Sequence, residues 1–307
     1  MSAQAPPVSE AGAPAAPASR SRWRELGGAV LANRLALFGL VVLGLLVVAA
    51  LFGQRLTPHP PNAVNVMERL QPPSATYWFG TDELGRDVFS RVLVAARVSL
   101  QVGFIAVGIS LSAGVLLGLL AGFYGRWIDD AIMRMTDMLF AFPAILLAIA
   151  ILAVLGPGIA NAMIAIGIVY TPIFARITRG SVLSVREQVF VRAARSIGAS
   201  DFRLLRVHIL PNVLAPIIVQ ASISLAFAIL SEAALSFLGL GVQPPAPSWG
   251  RMLAEGRGFI NTAWWMGFFP GLAIFVTVLS FNLLGDALRD ALHPRQRSAI
   301  ESRGMTA

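Results

Sequence analysis

The sequence predicts an all-α integral membrane protein with six transmembrane helices. Hydrophobic residues make up 56% of its 307 residues and charged residues only 13%, a far more apolar balance than soluble domains of this length have. The charged residues are also clustered, which leaves stretches without Asp, Glu, Arg or Lys at 35–54, 98–125, 138–175, 209–231 and 258–285. A helix needs about 20 apolar residues to cross a bilayer, so each stretch can hold at least one span.

The first 33 residues are predicted to be a disordered cytoplasmic tail. Residues 1–19 are mainly Ala, Pro and Ser, a composition that cannot bury enough apolar surface to fold. The first transmembrane helix is predicted at 34–54. It starts far from residue 1 and lacks an obvious cleavage site, so we expect it to be retained. An external loop is predicted at 55–96, a transmembrane core at 97–290 and a cytoplasmic tail at 291–307.

The second helix carries small residues at every fourth position. They share one face of the helix and are Ala106, Ser110, Gly114, Gly118 and Gly122. Small side chains let two helix backbones approach closely in lipid. We therefore expect this stripe to pack against another helix, within the same chain rather than against a second subunit.

The stretch 138–175 is too long for one span and long enough for two. A Gly-Pro-Gly sequence at 156–158 interrupts it, and residues of this kind mark a tight turn. We therefore expect a third helix near 135–155 and a fourth near 159–178, which brings the total to six.

The placement of arginine predicts the orientation. All 24 basic residues are arginine, and the side that holds both termini and the two even-numbered loops carries 17 of them. Basic residues accumulate on the cytoplasmic side, so we expect a multi-pass inner-membrane protein with both termini in the cytoplasm. The same bias explains the net charge of +8, which gives no reason to expect nucleic-acid binding.

Several kinds of catalytic or cofactor site are excluded by what the chain lacks. It has no cysteine and no lysine, and a Walker A loop needs a lysine to reach nucleotide phosphates. His59, His208 and His293 do not have the spacing of metal ligands. No GxSxG nucleophile motif is present. We therefore expect a non-catalytic chain that binds no cofactor or metal of its own.

The fifth apolar region ends at one acidic residue, Glu232. Counting along the helix places it near the outer interface, where water or Ser231 and Ser236 would solvate its carboxylate. A proton-relay role is the alternative, because ionisable residues within membrane spans are costly and often functional.

A polar stripe lies near the end of the sixth helix, where Asn282, Asp286 and Asp290 are four residues apart. We expect Arg289 to reach Asp286 and the stripe to anchor the helix end, so its role is structural or, with Glu232, in gating. A similar pair, Arg134 with Asp137, is expected at the start of the third helix.

An arginine-rich polar loop at 179–212 lies between two apolar segments. It contains a short helix-favouring run that a glycine interrupts, and it ends in a Leu-Pro pair that is expected to stop it. A helix-turn-helix of this kind can seat in a groove of another protein, so we interpret it as a cytosolic docking loop. Its candidate residues are Arg192, Ala193, Ala194, Gly198, Ala199, Ser200, Asp201, Leu210 and Pro211.

The predicted external loop contains the sequence FGTDELGRD at 79–87. Its candidate residues are Gly80, Thr81, Asp82, Gly85, Arg86 and Asp87. Asp82 can cap a short helix, and Asp87 can pair with Arg91 four residues later. We expect a folded connector before the second span, without contact to substrate.

These motifs resemble the integral-membrane permease subunits of ABC importers, in particular the dipeptide, oligopeptide and nickel group. That family's cytosolic signature is Glu-Ala-Ala, three residues, Gly and then Leu-Pro, and here Arg192 replaces the usual glutamate. The sequence at 79–87, the run 231–250 and the ending 289–295 also look like this group. The resemblance covers roughly residues 76–295, although His293 stands where aspartate is common.

The resemblance implies a type I ABC importer fold and a subunit that forms half of a translocation pathway. It implies a second related permease, two ATPase domains that bind ATP and Mg, and an extracytoplasmic binding protein that delivers the substrate. Residues 193–201 would form the coupling helix that contacts an ATPase. Di- or oligopeptides are the expected cargo, with nickel or another small solute as the alternative. The competing classes are a transporter driven by an ion gradient and a membrane scaffold that transports nothing.

Overall fold

Five helices of the computed structural model are long and apolar enough to cross a membrane, and a bent pair of helices makes a sixth candidate span. The structure describes residue 28 and residues 33–292, so the predicted tails lie almost wholly outside it, as does His293. Over the described residues, every regular element is helical apart from one isolated β-bridge. The prediction of an all-α membrane protein is confirmed.

The helices are numbered here in chain order over the described residues. They are α1 (Arg34–Leu56), α2 (Val88–Tyr124), α3 (Arg126–Phe140), α4 (Ala144–Leu155), α5 (Ile159–Arg186), α6 (Val189–Ser196), α7 (Leu210–Phe237), α8 (Trp249–Gly256) and α9 (Trp265–Leu292). Short 3₁₀ turns occur at Val66–Glu68 and Arg257–Phe259. A helical turn at Asp201–Arg203 continues through π-helical residues, Leu204–Ile209, into α7.

The passes alternate in direction along the chain when the bent pair α3–α4 is counted as one of them. Gly39 of α1 lies against Ser280 of α9, and Ala36, earlier in α1, packs with Ala287, later in α9, so these two helices are antiparallel. The hydroxyl of Ser99 in α2 lies 3.4 Å from the Glu232 carboxylate in α7, and Gly103, later in α2, lies against Ile229, earlier in α7, so α2 and α7 are also antiparallel. The start of α1, the end of α9 and residues 187–209 therefore lie at one end of the bundle, here called the α6 end. Residues 57–87 and α8 lie at the opposite end, called the α8 end.

The third pass is broken, which corrects the prediction of one helix near 135–155. α3 and α4 meet at 92° across the short segment that ends in Pro143. Proline has no amide hydrogen and disfavours helical geometry in the residue before it, so the helix ends there. α4 has 12 residues and spans only about 18 Å, less than the roughly 30 Å of a bilayer core. The fourth helix, predicted near 159–178, is present and runs on to Arg186.

Ion pairs tie α3 to α5. The guanidinium of Arg179 binds both carboxylate oxygens of Asp129, and Arg176 Nη2 lies 2.5 Å from Asp137 Oδ1. The predicted pair between Arg134 and Asp137 is therefore wrong, because Asp137 reaches across to the neighbouring helix instead.

The small-residue stripe of α2 packs against α5, a helix of the same chain, as predicted. A Cβ atom added at Gly114 would lie 2.5 Å from the Cβ of Phe174, closer than real Cβ contacts. A Cβ at Gly122 would lie 2.7 Å from the Cβ of Val182. Only glycine permits this approach, and the resulting contact holds α2 and α5 together as parallel neighbours.

Candidate functional site

At the α6 end, the docking loop presents a short amphipathic helix that is held by one face. Val191 and Ala194, three residues apart, are buried in the core, whereas the other side chains of α6 are exposed. Arg186 Nη1 donates to a backbone carbonyl at the end of α2 over 2.8 Å, which fixes the point where the chain leaves α5. The guanidinium of Arg195 lies 5.4 Å from the ring centroid of Phe123.

α6 ends in a glycine turn. The amide of Ala199 donates to the carbonyl of Ala194 over 3.1 Å, and the amide of Gly198 donates to that of Arg195 over 3.0 Å. This pair of bonds closes a helix when the residue after it adopts a left-handed conformation. Gly198 has φ of 87°, which L side chains rarely adopt. The predicted break at Gly198 is therefore present.

The surface of the docking loop combines apolar and basic side chains. Ile197 is 87% exposed and Phe202 is 71% exposed, on either side of the glycine turn. The predicted residues Arg192, Ala193, Ser200 and Asp201 are exposed beside them. The structure thus places these candidate residues on one solvent-facing surface. Ile197 and Phe202 are therefore available for contact with a partner at this end of the bundle.

Two predictions about this loop are wrong in detail. The coupling helix was expected at 193–201, but α6 spans Val189–Ser196, because Val191 must be buried and Gly198 cannot continue the helix. Pro211 does not stop the loop: it lies in the first turn of α7, directly after the π-helical residues Leu204–Ile209, and the helical path continues through it. Residues 179–186 belong to α5, and 210–212 belong to α7.

At the α8 end, the FGTDELGRD sequence folds into a buried turn. The amide of Asp82 donates to the carbonyl of Arg86 over 3.0 Å, and Thr81 and Asp87 form the β-bridge. All six predicted residues of this motif are buried. Gly85 has φ of 73°, and a Cβ there would lie 1.8 Å from the carbonyl oxygen of Asn65, so only glycine fits.

The same turn supplies part of a buried ion-pair network. Arg86 Nε lies 2.6 Å from Asp82 Oδ2, and Arg86 Nη2 lies 3.1 Å from Glu255 Oε2 on α8. Arg91 Nη2 lies 3.3 Å from the same Glu255 oxygen, and Arg251 Nε lies 2.9 Å from its other oxygen. The network fastens residues 82–91 to α8, although more than 150 residues separate them along the chain.

Both local predictions for this motif need correction. Asp82 does not cap a helix: its Oδ1 accepts from the amides of Leu84 and Arg86, each over 2.9 Å, and so closes the turn. Asp87 caps α2 by accepting from the amide of Ser90 over 3.1 Å. Arg91 pairs with Glu255 rather than with Asp87. A partner on α8 was missed, because no local spacing relates the two segments.

Two residues of the segment 57–87 have pKa values raised above their ordinary range. Burial raises the pKa of the Glu83 carboxyl, and the nearby Asp82 and Glu255 charges add to this effect. A hydrogen bond to the Glu68 carboxylate raises the pKa of the Tyr77 hydroxyl. Among residues 33–292, no group of three or more possible ligands is placed to hold a metal ion.

Glu232 is buried, not solvated at an interface as predicted. Its residue is 1% exposed, and its Oε1 accepts from the hydroxyl of Ser236 over 2.7 Å. Ser231 instead shares a hydrogen bond with Tyr170. The burial arises because α8 packs across the end of α7: a Cβ at Gly250 would lie 2.1 Å from the Ala233 carbonyl oxygen.

The polar stripe of α9 has few partners in the described part of the chain. Asp286 is exposed and Asn282 is half-buried. The predicted ion pair between Asp286 and Arg289 is wrong, since no contact within 4 Å joins them over residues 33–292. Asp286 and Asp290 are thus exposed at the α6 end, whereas Glu232 lies at the opposite end of the bundle.

Two models of known protein families match this chain. Residues 114–298 match the family described as binding-protein-dependent transport system inner membrane component. Residues 21–73 match the N-terminal transmembrane domain of oligopeptide transport permease C. The first of these matches covers more than half of the chain and includes the docking loop.

Curated relatives match at high identity along nearly their whole length. The dipeptide transport system permease protein DppC of Alkalihalophilus pseudofirmus is 52% identical over 278 residues, which cover 91% of each chain. The glutathione transport system permease protein GsiD of Pectobacterium atrosepticum is 47% identical over 281 residues, which cover 91% of this chain and 93% of that one.

Solved structures support the fold. An inward-facing form of the MetNI methionine ABC transporter aligns with a TM-score of 0.54 at 17% identity, over 66% of this chain and 96% of that one. A second structure, an amino acid ABC transporter with histidines, aligns with a TM-score of 0.51. The predicted type I ABC importer fold is thereby confirmed. This chain belongs to the family of binding-protein-dependent transport system inner membrane components, and it is a multi-pass inner-membrane permease subunit.

Proposed function

We propose that this chain forms half of the translocation pathway of an ATP-driven importer for di- or oligopeptides. The other half is a second related permease, and an extracytoplasmic binding protein delivers the peptide. The cargo is inferred from the relatives, whose names specify dipeptide and glutathione transport. Uptake of a labelled dipeptide into proteoliposomes, with glutathione and a nickel chelate as competitors, tests this assignment. Uptake of the nickel chelate in preference to both peptides would contradict it.

The docking loop is the proposed contact with the ATPase subunits, which bind ATP and Mg. The observation that carries this proposal is the exposed apolar and basic surface around the Gly198 turn, built on a helix whose other face is buried in the bundle. ATP binding brings the two ATPases together and moves the loops, and the permease pair then changes the side to which the pathway opens. Hydrolysis resets the cycle.

Substitution of the turn glycine tests this role in the reconstituted complex. Gly198→Val places a β-branched side chain where φ is 87°, so the turn must change while the surrounding space stays open. We expect membrane insertion to be normal and ATP hydrolysis to be uncoupled from uptake. Gly156→Val is the matched control, because Gly156 has φ of 86° and open space at the α8 end. Unchanged, tightly coupled uptake in Gly198→Val would refute the docking role.

The α6 end is proposed to face the cytoplasm, on the basis of the arginine bias. The chain has no cysteine, so single cysteines report orientation without background. Ile197 is 87% exposed at the α6 end and Met67 is 90% exposed at the α8 end. In intact spheroplasts, a membrane-impermeant maleimide should label Met67→Cys and spare Ile197→Cys until the cells are lysed. The reverse pattern would overturn the proposed orientation.

A further inference from the structure

The outward face of α6 carries one basic residue, near the middle of the helix along its length. Val191 and Ala194 point into the core, so the opposite face of the helix carries Val189, Arg192, Ala193 and Ser196. Arg192 is exposed, and no carboxylate lies within ion-pair distance of it over residues 33–292. Its charge is therefore available to a partner at the middle of the surface that α6 presents.

The charge around Arg192 is predominantly positive. Residues 187–209 contain arginines at 192, 195, 203 and 206, and their acidic residues are Glu187 and Asp201. Glu187 is neutralised by Arg186, whose Nε lies 3.1 Å from its carboxylate. The arginines of this surface have no ion-pair partner in the described chain, and Arg195 contacts an aromatic ring instead. The surface therefore carries four arginines against one exposed carboxylate, that of Asp201, which has no ion pair within residues 33–292.

Two apolar side chains complete the surface. Ile197 and Phe202 flank the glycine turn and project into solvent. Burial of such side chains on binding is favourable by about 25 cal/mol for each Å² removed from water, so a partner should offer them an apolar pocket. Complementary charges then orient the partner and exclude others.

We infer that the ATPase groove that receives α6 has an apolar floor for Ile197 and Phe202 and an acidic side chain opposite Arg192. This inference rests on the proposed function, which supplies the ATPase as the partner. It adds the chemistry of the contact: positive charge on the permease and negative charge on the ATPase. A polar or basic groove would leave a desolvated guanidinium without a counterion, which is costly at an interface.

The test uses the complete complex of both permeases, ATPases and binding protein in nanodiscs of phosphatidylcholine, which excludes anionic lipid. Affinity of the ATPase subunits is measured for the wild type, Arg192→Lys and Arg192→Glu. Arg134→Glu is the matched control, because Arg134 is exposed on α3 and has no ion pair over residues 33–292. We expect Arg192→Glu to weaken ATPase binding about ten-fold or more, with Arg192→Lys and Arg134→Glu close to the wild type.

A charge swap identifies the partner group. Cross-linking from Ile197→Cys locates the ATPase residues beside the turn, and an acidic residue among them is changed to arginine. That change should restore binding to Arg192→Glu and weaken binding to the wild type. Equal affinity of Arg192→Glu and the wild type, or no rescue by any acidic residue in the groove, would overturn the inference.

These outcomes differ from a failure of the proposed function. If the wild-type permease binds no ATPase, or if Ile197→Cys is labelled from outside the cell, the docking role itself fails. If charge dependence appears only in nanodiscs that contain anionic lipid, Arg192 faces headgroups and the inference is wrong, while ATPase docking through the turn still stands.

Discussion

The contact between α2 and α5 leaves no room for a methyl group at Gly118. A Cβ there would lie 2.5 Å from the Ala175 carbonyl oxygen and 2.6 Å from the Thr178 Cβ. Ordinary contacts between such atoms are about 3.5 Å, so Gly118→Ala must push the helices about 1 Å apart or distort them. Overpacking of this kind costs about 1–3 kcal/mol, which exceeds the roughly 1 kcal/mol that alanine gains over glycine within a helix.

Gly108→Ala is the matched control, because Gly108 lies in the same helix and has no atom within 4 Å of an added Cβ. It should keep the gain in helix propensity without the clash. Thermal unfolding of the purified protein in detergent, followed by tryptophan fluorescence, should give a lower midpoint for Gly118→Ala than for the wild type. The midpoint of Gly108→Ala should be equal to or above that of the wild type. If both variants unfold at the same temperature, the close packing inferred for this seam is wrong.

Four further predictions concern the α8 end and can be checked by the same unfolding measurement. Gly85→Ala should destabilise the protein more than Gly156→Ala, since both glycines have positive φ but only the first meets a backbone oxygen, at 1.8 Å. Glu255→Ala should cost about 1–3 kcal/mol because it removes the carboxylate that Arg86 and Arg91 share, although Asp82 stays within ion-pair distance of both, whereas Glu255→Gln should cost less. Glu232→Ala should cost about 1–3 kcal/mol through the unpaired hydroxyls around it, and Glu232→Gln should recover much of this loss. The raised pKa of Glu83 means that the folded state holds this proton to higher pH than the unfolded state, so stability should fall as pH rises above about 4.5. Glu83→Gln should flatten that dependence, and an unchanged pH profile would contradict the assignment.

Features with a local cause were predictable from the sequence. The small-residue stripe of α2 was expected to pack within the chain, and it packs against α5. The turn at Gly198 was expected because glycine interrupts a helix-favouring run, and the observed φ of 87° requires it. The charge-free stretches located the membrane helices because lipid excludes charge over a fixed thickness.

Features with a distant cause were not predictable. Asp87 and Arg91 have the spacing of a helical ion pair, but the carboxylate that binds Arg91 comes from Glu255, 164 residues further along the chain. Glu232 was placed by its depth along one helix, whereas its burial depends on α8 folding across that helix. The break before α4 had a local signal in Pro143, which the long apolar stretch around it obscured.

The helical path from Asp201 to Phe237 is continuous for 37 residues, from the glycine turn to the residues beneath α8. Its length is about 55 Å, so a tilt of about 5° at one end displaces the other by about 5 Å. Pro211 and the π-helical residues Leu204–Ile209 lie near the start of this path. They interrupt its regular α-helical hydrogen bonding, so a bend is expected there. If the proposed docking loop tilts this path, the end beneath α8 would move further than the loop itself, and the ion-pair network would couple residues 82–91 to that movement.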